Sequence, residues 1–276
     1  MERITRLTAH WGFRAHRGSA AADGVTLAFP KHRENSSELW IKNLVTGAAR
    51  HLISTGDAGE LNPTISPDGA QVGYTLHEKG RRYGYLVPSS GGTARALCED
   101  CSLHGWLTDS RRILAVFSTG APRVRVVDTT TLTTTGVFDV AIAINRVFAT
   151  PNNRWIAVGA RDIVWLVPLD SGRLESPDTA LIVNFRKSDV TSARIVGWSP
   201  DGQLLYSLLG LDGFRCLYAQ RVDIGKRIVG EPFVVHHFHA PDRVWGSSPF
   251  SNAIVTNGFV FDQMETAASI WLRAPR

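Results

Sequence analysis

Three short stretches of this chain carry residue types that do chemistry. Cys98-Glu99-Asp100-Cys101, with His104 three positions further on, has the spacing of half a zinc site. Structural zinc takes four ligands, however, and the third cysteine, Cys216, is remote. The pair therefore reads as two reduced thiols or a local disulfide, and no metal and no cofactor are expected. His236-His237-Phe238-His239 is the second stretch. In a strand His237 and His239 would share a face, but no carboxylate or cysteine stands nearby to complete a site, so the cluster reads as a polar strand end. The third, Gly197-Trp198-Ser199-Pro200-Asp201, begins like a nucleophile elbow and ends in Asp where that motif needs Gly. No phosphate-binding Walker loop, dinucleotide fingerprint or HExxH pair is present. No catalytic residue is expected, and the chain does not read as an enzyme.

The serine of that third stretch belongs to something else, a repeat. Ser66-Pro67-Asp68-Gly69 and Ser199-Pro200-Asp201-Gly202 are two sharp copies of one turn. Pro presets φ at the first corner, Asp hydrogen-bonds locally, and Gly accepts the left-handed conformation that closes a hairpin. Degenerate copies stand at Asp23-Gly24, Asp109-Ser110, Asn152-Asn153 and Asn257-Gly258. Each precedes an apolar, β-branched or aromatic run such as Val72-Gly73-Tyr74 or Leu204-Leu205-Tyr206. Turns of one kind at intervals of roughly 40 to 55 residues fit the periods of propeller blades.

A second apolar strand follows in each unit: Leu39-Trp40-Ile41, Tyr85-Leu86-Val87, Val124-Arg125-Val126-Val127, Val164-Trp165-Leu166, Leu217-Tyr218-Ala219 and Ile270-Trp271-Leu272. Behind most of these come a polar turn and an edge segment, for example Arg50-His51-Leu52-Ile53 or Ala94-Arg95-Ala96-Leu97. Four strands per unit is the pattern of a blade. The expectation is an all-β, six-bladed propeller with four-stranded antiparallel blades, forming one domain over residues 1–276 or the C-terminal part of a larger protein. The sixth unit lacks an outer strand, and Arg3-Ile4-Thr5-Arg6-Leu7-Thr8 resembles the edge segments, so it is expected to pair with the last blade and close the ring. Trp40, Trp165 and Trp271 recur at equivalent strand positions and are expected to pack between blades rather than to stack on a ligand.

The stretch from Glu60 to Gly69 and the stretch from Gly197 to Gly202, each followed by an apolar strand, resemble the repeat of TolB-type propellers. Similar propellers form the amino-terminal half of prolyl-oligopeptidase-like enzymes and the carboxy-terminal half of some bacterial serine/threonine kinases and winged-helix regulators. The resemblance covers nearly the whole chain and implies the fold. Thr150-Pro151-Asn152-Asn153 departs most openly from it among the middle repeats. For function the resemblance implies a non-catalytic protein- or peptide-binding, scaffold or sensor module. The alternative is the substrate-gating propeller of a serine peptidase whose catalytic α/β domain, some 200 residues by the notion of a separate domain, has no room here.

Two groups of residues then become candidate binding sites. Loops entering the innermost strands are expected to converge on the channel mouth and carry Asn62, His104, Asn145, Arg146, Arg194, Arg243 and Trp245. Segments joining the second and third strands of successive blades carry Lys31, Arg33, Lys79, Arg81, Arg82 and Arg123, with Arg125 following. These would form one basic sector on one face, though Glu34 and Glu78 stand beside it as counter-charges. With a net charge of +5, the sector suits an acidic protein or peptide partner. Nucleic acid is not expected, because Tyr83 alone supplies an interleaved aromatic.

Composition agrees with a folded domain: 43% hydrophobic residues allow a substantial core. No run approaches the roughly 18 consecutive apolar residues of a membrane-spanning helix. Met1 to Arg6 is not followed by the apolar stretch of a secretion signal. The chain as written is therefore expected in the cytoplasm, and in the periplasm if it belongs to a longer exported or anchored protein.

Overall fold

A computed structural model describes residues 18–33, 36–55, 60–120, 123–139, 143–160, 163–169, 181–185, 190, 192–210, 215–237, 243–245, 253–255, 258–260 and 263–265. Every described strand pairing is antiparallel, and in the first four sheets it follows chain order. The first sheet is β1 (Ser19–Ala20), β2 (Thr26–Arg33), β3 (Ser36–Asn43) and β4 (Ala49–Thr55). The second is β5 (Glu60–Ile65), β6 (Gln71–Glu78), β7 (Arg81–Pro88) and β8 (Arg95–Glu99). The third is β9 (Cys101–Trp106), β10 (Arg112–Phe117), β11 (Arg123–Asp128) and β12 (Thr134–Asp139). The fourth is β13 (Arg146–Ala149), β14 (Trp155–Ala160), β15 (Ile163–Pro168) and β16 (Leu181–Asn184). The fifth is β17 (Ser192–Trp198), β18 (Leu204–Gly210) and β19 (Arg215–Asp223), with β20 (Ile228–Val229) and β21 (Phe233–His236) both on β19. Beyond it, β22 (Arg243–Trp245) pairs with β25 (Gln263–Glu265), and β23 (Ala253–Val255) with β24 (Gly258–Val260). The segments 3–8 and 270–272, with Asn257, lie outside the described residues.

The repeated turn joins the first strand of each sheet to the second. In the second sheet the Ser66 hydroxyl donates to Asp68 Oδ1 at 2.6 Å, that oxygen accepts the Ala70 N–H at 3.0 Å, and Ser66 Oγ accepts the Gln71 N–H at 2.9 Å. Ser199 and Asp201 make the same bonds to Gln203 and Leu204. So do Thr150 and Asn152, with Arg154 and Trp155. The sequence Thr-Pro-Asn-Asn, which departs openly from the repeat by letter, is the same turn by hydrogen bonding. Gly69 and Gly202 have φ of 71° and 72°, and the residues in their place, Ser110 and Asn153, both have φ of 54°. Asn tolerates that region better than most side chains.

Side chains alternate between the two faces of each strand, and each face meets a different neighbour. Val164 and Leu166 of β15 join the apolar cluster shared with the fifth sheet, whereas Trp165 and Val167 join the one shared with the third. A separate cluster fills each interface: first with second, second with third, third with fourth and fourth with fifth. A smaller one joins Val196, Leu208 and Leu217 of the fifth sheet to Ile254 and Phe259. At about 25 cal/mol per Å² of apolar surface buried, these interfaces are the main source of stability, as in any array of stacked repeats.

One rung shows the repeat in detail. The residue three along from the start of each second strand pairs with Trp40, Tyr85, Arg125, Trp165 or Tyr218 on the third. Trp165 is buried and lies 5.8 Å from the Phe138 ring, and Tyr85 stacks on Tyr74 at 5.4 Å. Arg125 replaces the aromatic in the third sheet, and its charge meets Asp139 at 2.8 Å. Trp40 carries Lys31 Nζ over its ring at 3.5 Å. The packing role expected for the recurrent tryptophans thus holds for Trp165; Trp271 lies outside the described residues. No helix among the described residues is long and apolar enough to cross a membrane.

Candidate functional site

The polar residues singled out from sequence fall on the innermost strands, and the hydrogen-bond register shows how they align. In the second to fifth sheets, as in the first, the residue opening the turn donates its N–H to the first residue of the second strand, here Gln71, Arg112, Trp155 and Leu204. Four residues further along stand Thr75, Val116, Gly159 and Leu208, whose inner-strand partners are Asn62, Ser102, Arg146 and Arg194. Consecutive sheets therefore present a polar or cationic group at one common rung. These side chains were expected in loops entering the strands. Asn62, His104, Arg146 and Arg194 instead lie within β5, β9, β13 and β17, because the ladder with the second strand continues past them. Asn145 immediately precedes β13, and its N–H donates to the Gly159 carbonyl at 2.7 Å.

His104 owes its position to a β-bulge. Pairing of β9 with β10 passes from Gly105 opposite Leu114 to Leu103 opposite Ala115, leaving His104 unopposed. Burial, then the charges of Arg146 and Arg82, push its imidazole down to about 3, so it is neutral at physiological pH. Arg146 is only 7% exposed and lies with its guanidinium 4.4 Å from the Phe148 ring centre, two residues along on the same face of β13. Burial brings the Arg146 guanidinium down to about 9, which keeps it protonated at neutral pH. Arg194 is half-buried, and burial followed by the nearby charge of Arg215 lowers it as well. Arg82 reaches across from the second sheet and donates to Ser102 Oγ at 3.4 Å and Ser118 Oγ at 3.3 Å. Asn62 Nδ2 lies 3.4 Å from His77 Nε2.

Between the fourth and fifth sheets this rung borders a small recess with room for about one water molecule. Asn145, Arg146 and Arg194 supply its polar lining, and Ile163, Val164, Phe185 and Ile195 its apolar walls. Gly159 forms part of its floor, where a Cβ would sit 2.9 Å from Ile195 Cδ1. None of the lining residues is acidic. Arg243 and Trp245 lie in β22, and the placement of their side chains falls outside the described residues.

The second candidate group is dispersed and locally compensated. Lys79 and Gly80 form the tight turn between β6 and β7, with φ of 48° and 78°. Lys79 lies 3.4 Å from Glu78, and Arg81 clasps Asp100 through two bonds of 3.3 and 3.1 Å. The Arg81 bond lowers the Asp100 carboxyl below its usual range. Arg123 opens β11 and is exposed; Arg33 ends β2, its side chain outside the described residues. The structure thus places Asn62, His104, Arg146 and Arg194 on successive inner strands, with Arg82 of β7 reaching to Ser102 beside them, and leaves Lys31, Lys79 and Arg81 engaged with their own neighbours. Ser102, Phe148 and Phe185 belong to the site and were missed from sequence. The turn spacing carries the signal for Ser102, but reading it requires knowing where β9 bulges.

Cys98 and Cys101 form a disulfide, so the loop between β8 and β9 is a covalent clasp rather than half of a metal site. Among the described residues no group of three or more His, Cys, Asp or Glu is placed to hold a metal ion. His236 ends β21, and His239 lies outside the described residues.

No protein-family model matches the sequence, and no curated protein does. Solved structures do match. A TolB from Agrobacterium tumefaciens superposes with a TM-score of 0.60 at 17% identity, over 92% of this chain and 91% of that one. The β-propeller domain of the Trilobed protease from Pyrococcus furiosus, described as having an open velcro topology, gives 0.56 at 16% identity, over 90% and 77%. The acylaminoacyl peptidase of Pyrococcus horikoshii gives 0.56 at 14% identity, over 93% of this chain and 46% of that one.

Proposed function

We propose that this chain, folded as a TolB-like β-propeller, is a non-catalytic module that docks a protein or peptide at the end where its innermost strands begin. The observation that supports this reading is the common rung of Asn62, Ser102, Arg146 and Arg194. Repeats align equivalent positions into one continuous surface, which is how such folds make binding faces. An acidic partner fits best, because Arg146 and Arg194 hold this rung with Arg82 and Arg215 beside them, whereas Lys79 and Arg81 of the outer group are paired with Glu78 and Asp100. Nucleic acid fits less well, because Tyr83 alone interleaves an aromatic with the basic residues.

In this reading the propeller has six blades in a single domain, and residues 3–8 supply the outer strand of the sixth. Support comes from β23, which packs against both β17 and β1, with Val255 within 3.4 Å of where a Cβ on Gly24 would stand. The Cys98–Cys101 disulfide favours an oxidising compartment such as the periplasm over the cytoplasm.

The test is capture of a partner from a bacterial lysate at low and high salt. A defined protein recovered in a salt-sensitive way and lost with Arg194→Gln supports docking on this face; a partner indifferent to Arg194 places docking elsewhere. The likeness to acylaminoacyl peptidase, of which this chain spans 46%, favours a second reading as the propeller of a larger serine peptidase. A GxSxG motif with later Asp and His in flanking coding sequence would decide for it.

A further inference from the structure

We infer that Arg82, held by the hydroxyls of Ser102 and Ser118 where the second and third sheets meet, receives the side-chain carboxylate of an Asp or Glu on an acidic protein partner. That carboxylate is the group recognised on the docking face, and the inference rests on the docking reading for what carries it.

Arg82 lies in β7 directly opposite His77 of β6, and its Nη1 donates across to the third sheet, to Ser102 Oγ at 3.4 Å and Ser118 Oγ at 3.3 Å. Ser102 belongs to the common rung and is only 8% exposed, so the contact ties an exposed guanidinium to that rung. Ser118 is placed by its N–H, which donates to the Asp100 carbonyl at 2.9 Å. Asp100 is in turn fixed by two bonds from Arg81 and by the Cys98–Cys101 disulfide on either side of it. The guanidinium is therefore set in place before a ligand arrives, and little freedom is lost on binding.

Its charge is the unmatched one on this hairpin. Arg81, Arg111, Arg112 and Arg125 each reach a carboxylate oxygen within 3.1 Å, whereas Arg82 hydrogen-bonds, among the described residues, to hydroxyls alone. With Nη1 engaged, the Nε–Nη2 edge keeps two parallel N–H donors, the arrangement that pairs with both oxygens of one carboxylate. Access is direct: Asp100 alone separates β8 from β9, whereas residues 56–59, 140–145 and 185–191 make the other crossings between the first five sheets. The Asp100 carboxylate beside Arg81 makes the neighbourhood suit a single negative charge better than a phosphate dianion. One exposed ion pair is weak by itself, so it acts as one contact within the docking face, whose rung also holds Arg146 and Arg194.

The experiment labels the intact protein isotopically and follows the Arg82 Nε–Hε and Ser118 amide resonances by NMR. The probes are acetyl-Gly-Glu-Gly-Glu-Gly-amide, its Gln counterpart, and the same peptide with phosphoserine in place of Glu. The Glu peptide is expected to move both resonances and the Gln peptide neither. Arg82→Gln should weaken the Glu peptide about threefold, as read from the Ser118 amide. Arg82→Lys, which keeps the charge and loses the fork, should fall between; thermal melts establish that both variants are folded. Equal shifts from the Glu and Gln peptides overturn the inference, as does tighter binding of the phosphoserine peptide than of the Glu peptide. So does Lys79→Gln weakening the Glu peptide as much as Arg82→Gln, because net charge on the hairpin and not the held fork would then bind. A partner captured from lysate that depends on Arg194 and is indifferent to Arg82→Gln keeps the docking module and removes this contact. Glu-peptide binding at Arg82 with no protein captured keeps the carboxylate site and removes the docking module.

Discussion

Asn153 and Thr108 belong to different blades, and one side-chain amide grips the other residue at two points. Asn153 Oδ1 accepts the Thr108 N–H at 3.0 Å, and its Nδ2 donates to the Thr108 hydroxyl at 2.6 Å. The neighbouring interface repeats the device with a different residue: Ser110 Oγ accepts the Asp68 N–H at 3.1 Å. Where the turn keeps Gly, it makes no such bond. Degeneracy of the turn thus exchanges backbone ease for a tie to the preceding blade. Asn153→Ala should lose both the tie and the tolerance of positive φ, at a cost of about 2 kcal/mol in urea unfolding. Asn153→Gly, which keeps the backbone, should cost less; equal losses would mean that the inter-blade bonds carry the whole effect.

The two sharp turns make the opposite prediction. Gly69 and Gly202 sit at φ of 71° and 72°, where a β-branched side chain is strained whatever the space around it. Gly69→Val and Gly202→Val should each cost on the order of 1 kcal/mol or more. Unchanged denaturation midpoints would show that these turns relax at no cost.

The architecture was legible because its signals are local. Pro, Asp and Gly punctuate the turns, and the short apolar runs between them, such as Val164-Trp165-Leu166, show in the letters. The placement of site residues was not, because it depends on register. Arg194 aligns with Arg146 only because β17 contains a bulge between Ile195 and Gly197. Likewise, nothing local to Arg81 announces that its partner is Asp100 in the next loop, so the compensation of that one charge was not legible.

The clasp between Cys98 and Cys101 joins the outer strand of one blade to the inner strand of the next, and Gly84 lies beneath it. A Cβ on Gly84 would stand 2.8 and 2.9 Å from the two sulfurs. For so short a loop the chain-entropy account gives about 2 kcal/mol of stabilisation. The Cys98→Ser/Cys101→Ser double variant should lose that amount, and the native protein should lose it on adding reductant. A midpoint indifferent to reductant would mean the clasp contributes nothing. Gly84→Ala should cost about 1 to 3 kcal/mol through overpacking.

Closure of the ring through residues 3–8 predicts that removing residues 1–8 lowers the melting temperature of the whole domain in one cooperative step. The reasoning is that an outer strand lost from the last blade exposes an edge next to the interfaces formed by β23 with β17 and β1. A truncated protein that melts with the midpoint of the full chain excludes this segment as the closing strand.

His104 gives the protein a pH dependence whose sign follows from its burial. Its imidazole is held down to about 3 when folded, against about 6.5 in an unfolded chain. Between those values the unfolded state binds a proton that the folded state refuses, so stability falls as pH falls through the window. From pH 6.5 to pH 5 the loss is about 2 kcal/mol. The carboxylates held low by their bonds, Asp109 among them, act in the same direction, but only near and below the unfolded carboxylate value of about 3.9. Measured between pH 7 and pH 5, unfolding free energy should therefore slope downward in the native protein and flatten in His104→Gln, where the imidazole beside Arg146 and Arg82 is gone. Parallel slopes in the two proteins would assign the dependence to other groups.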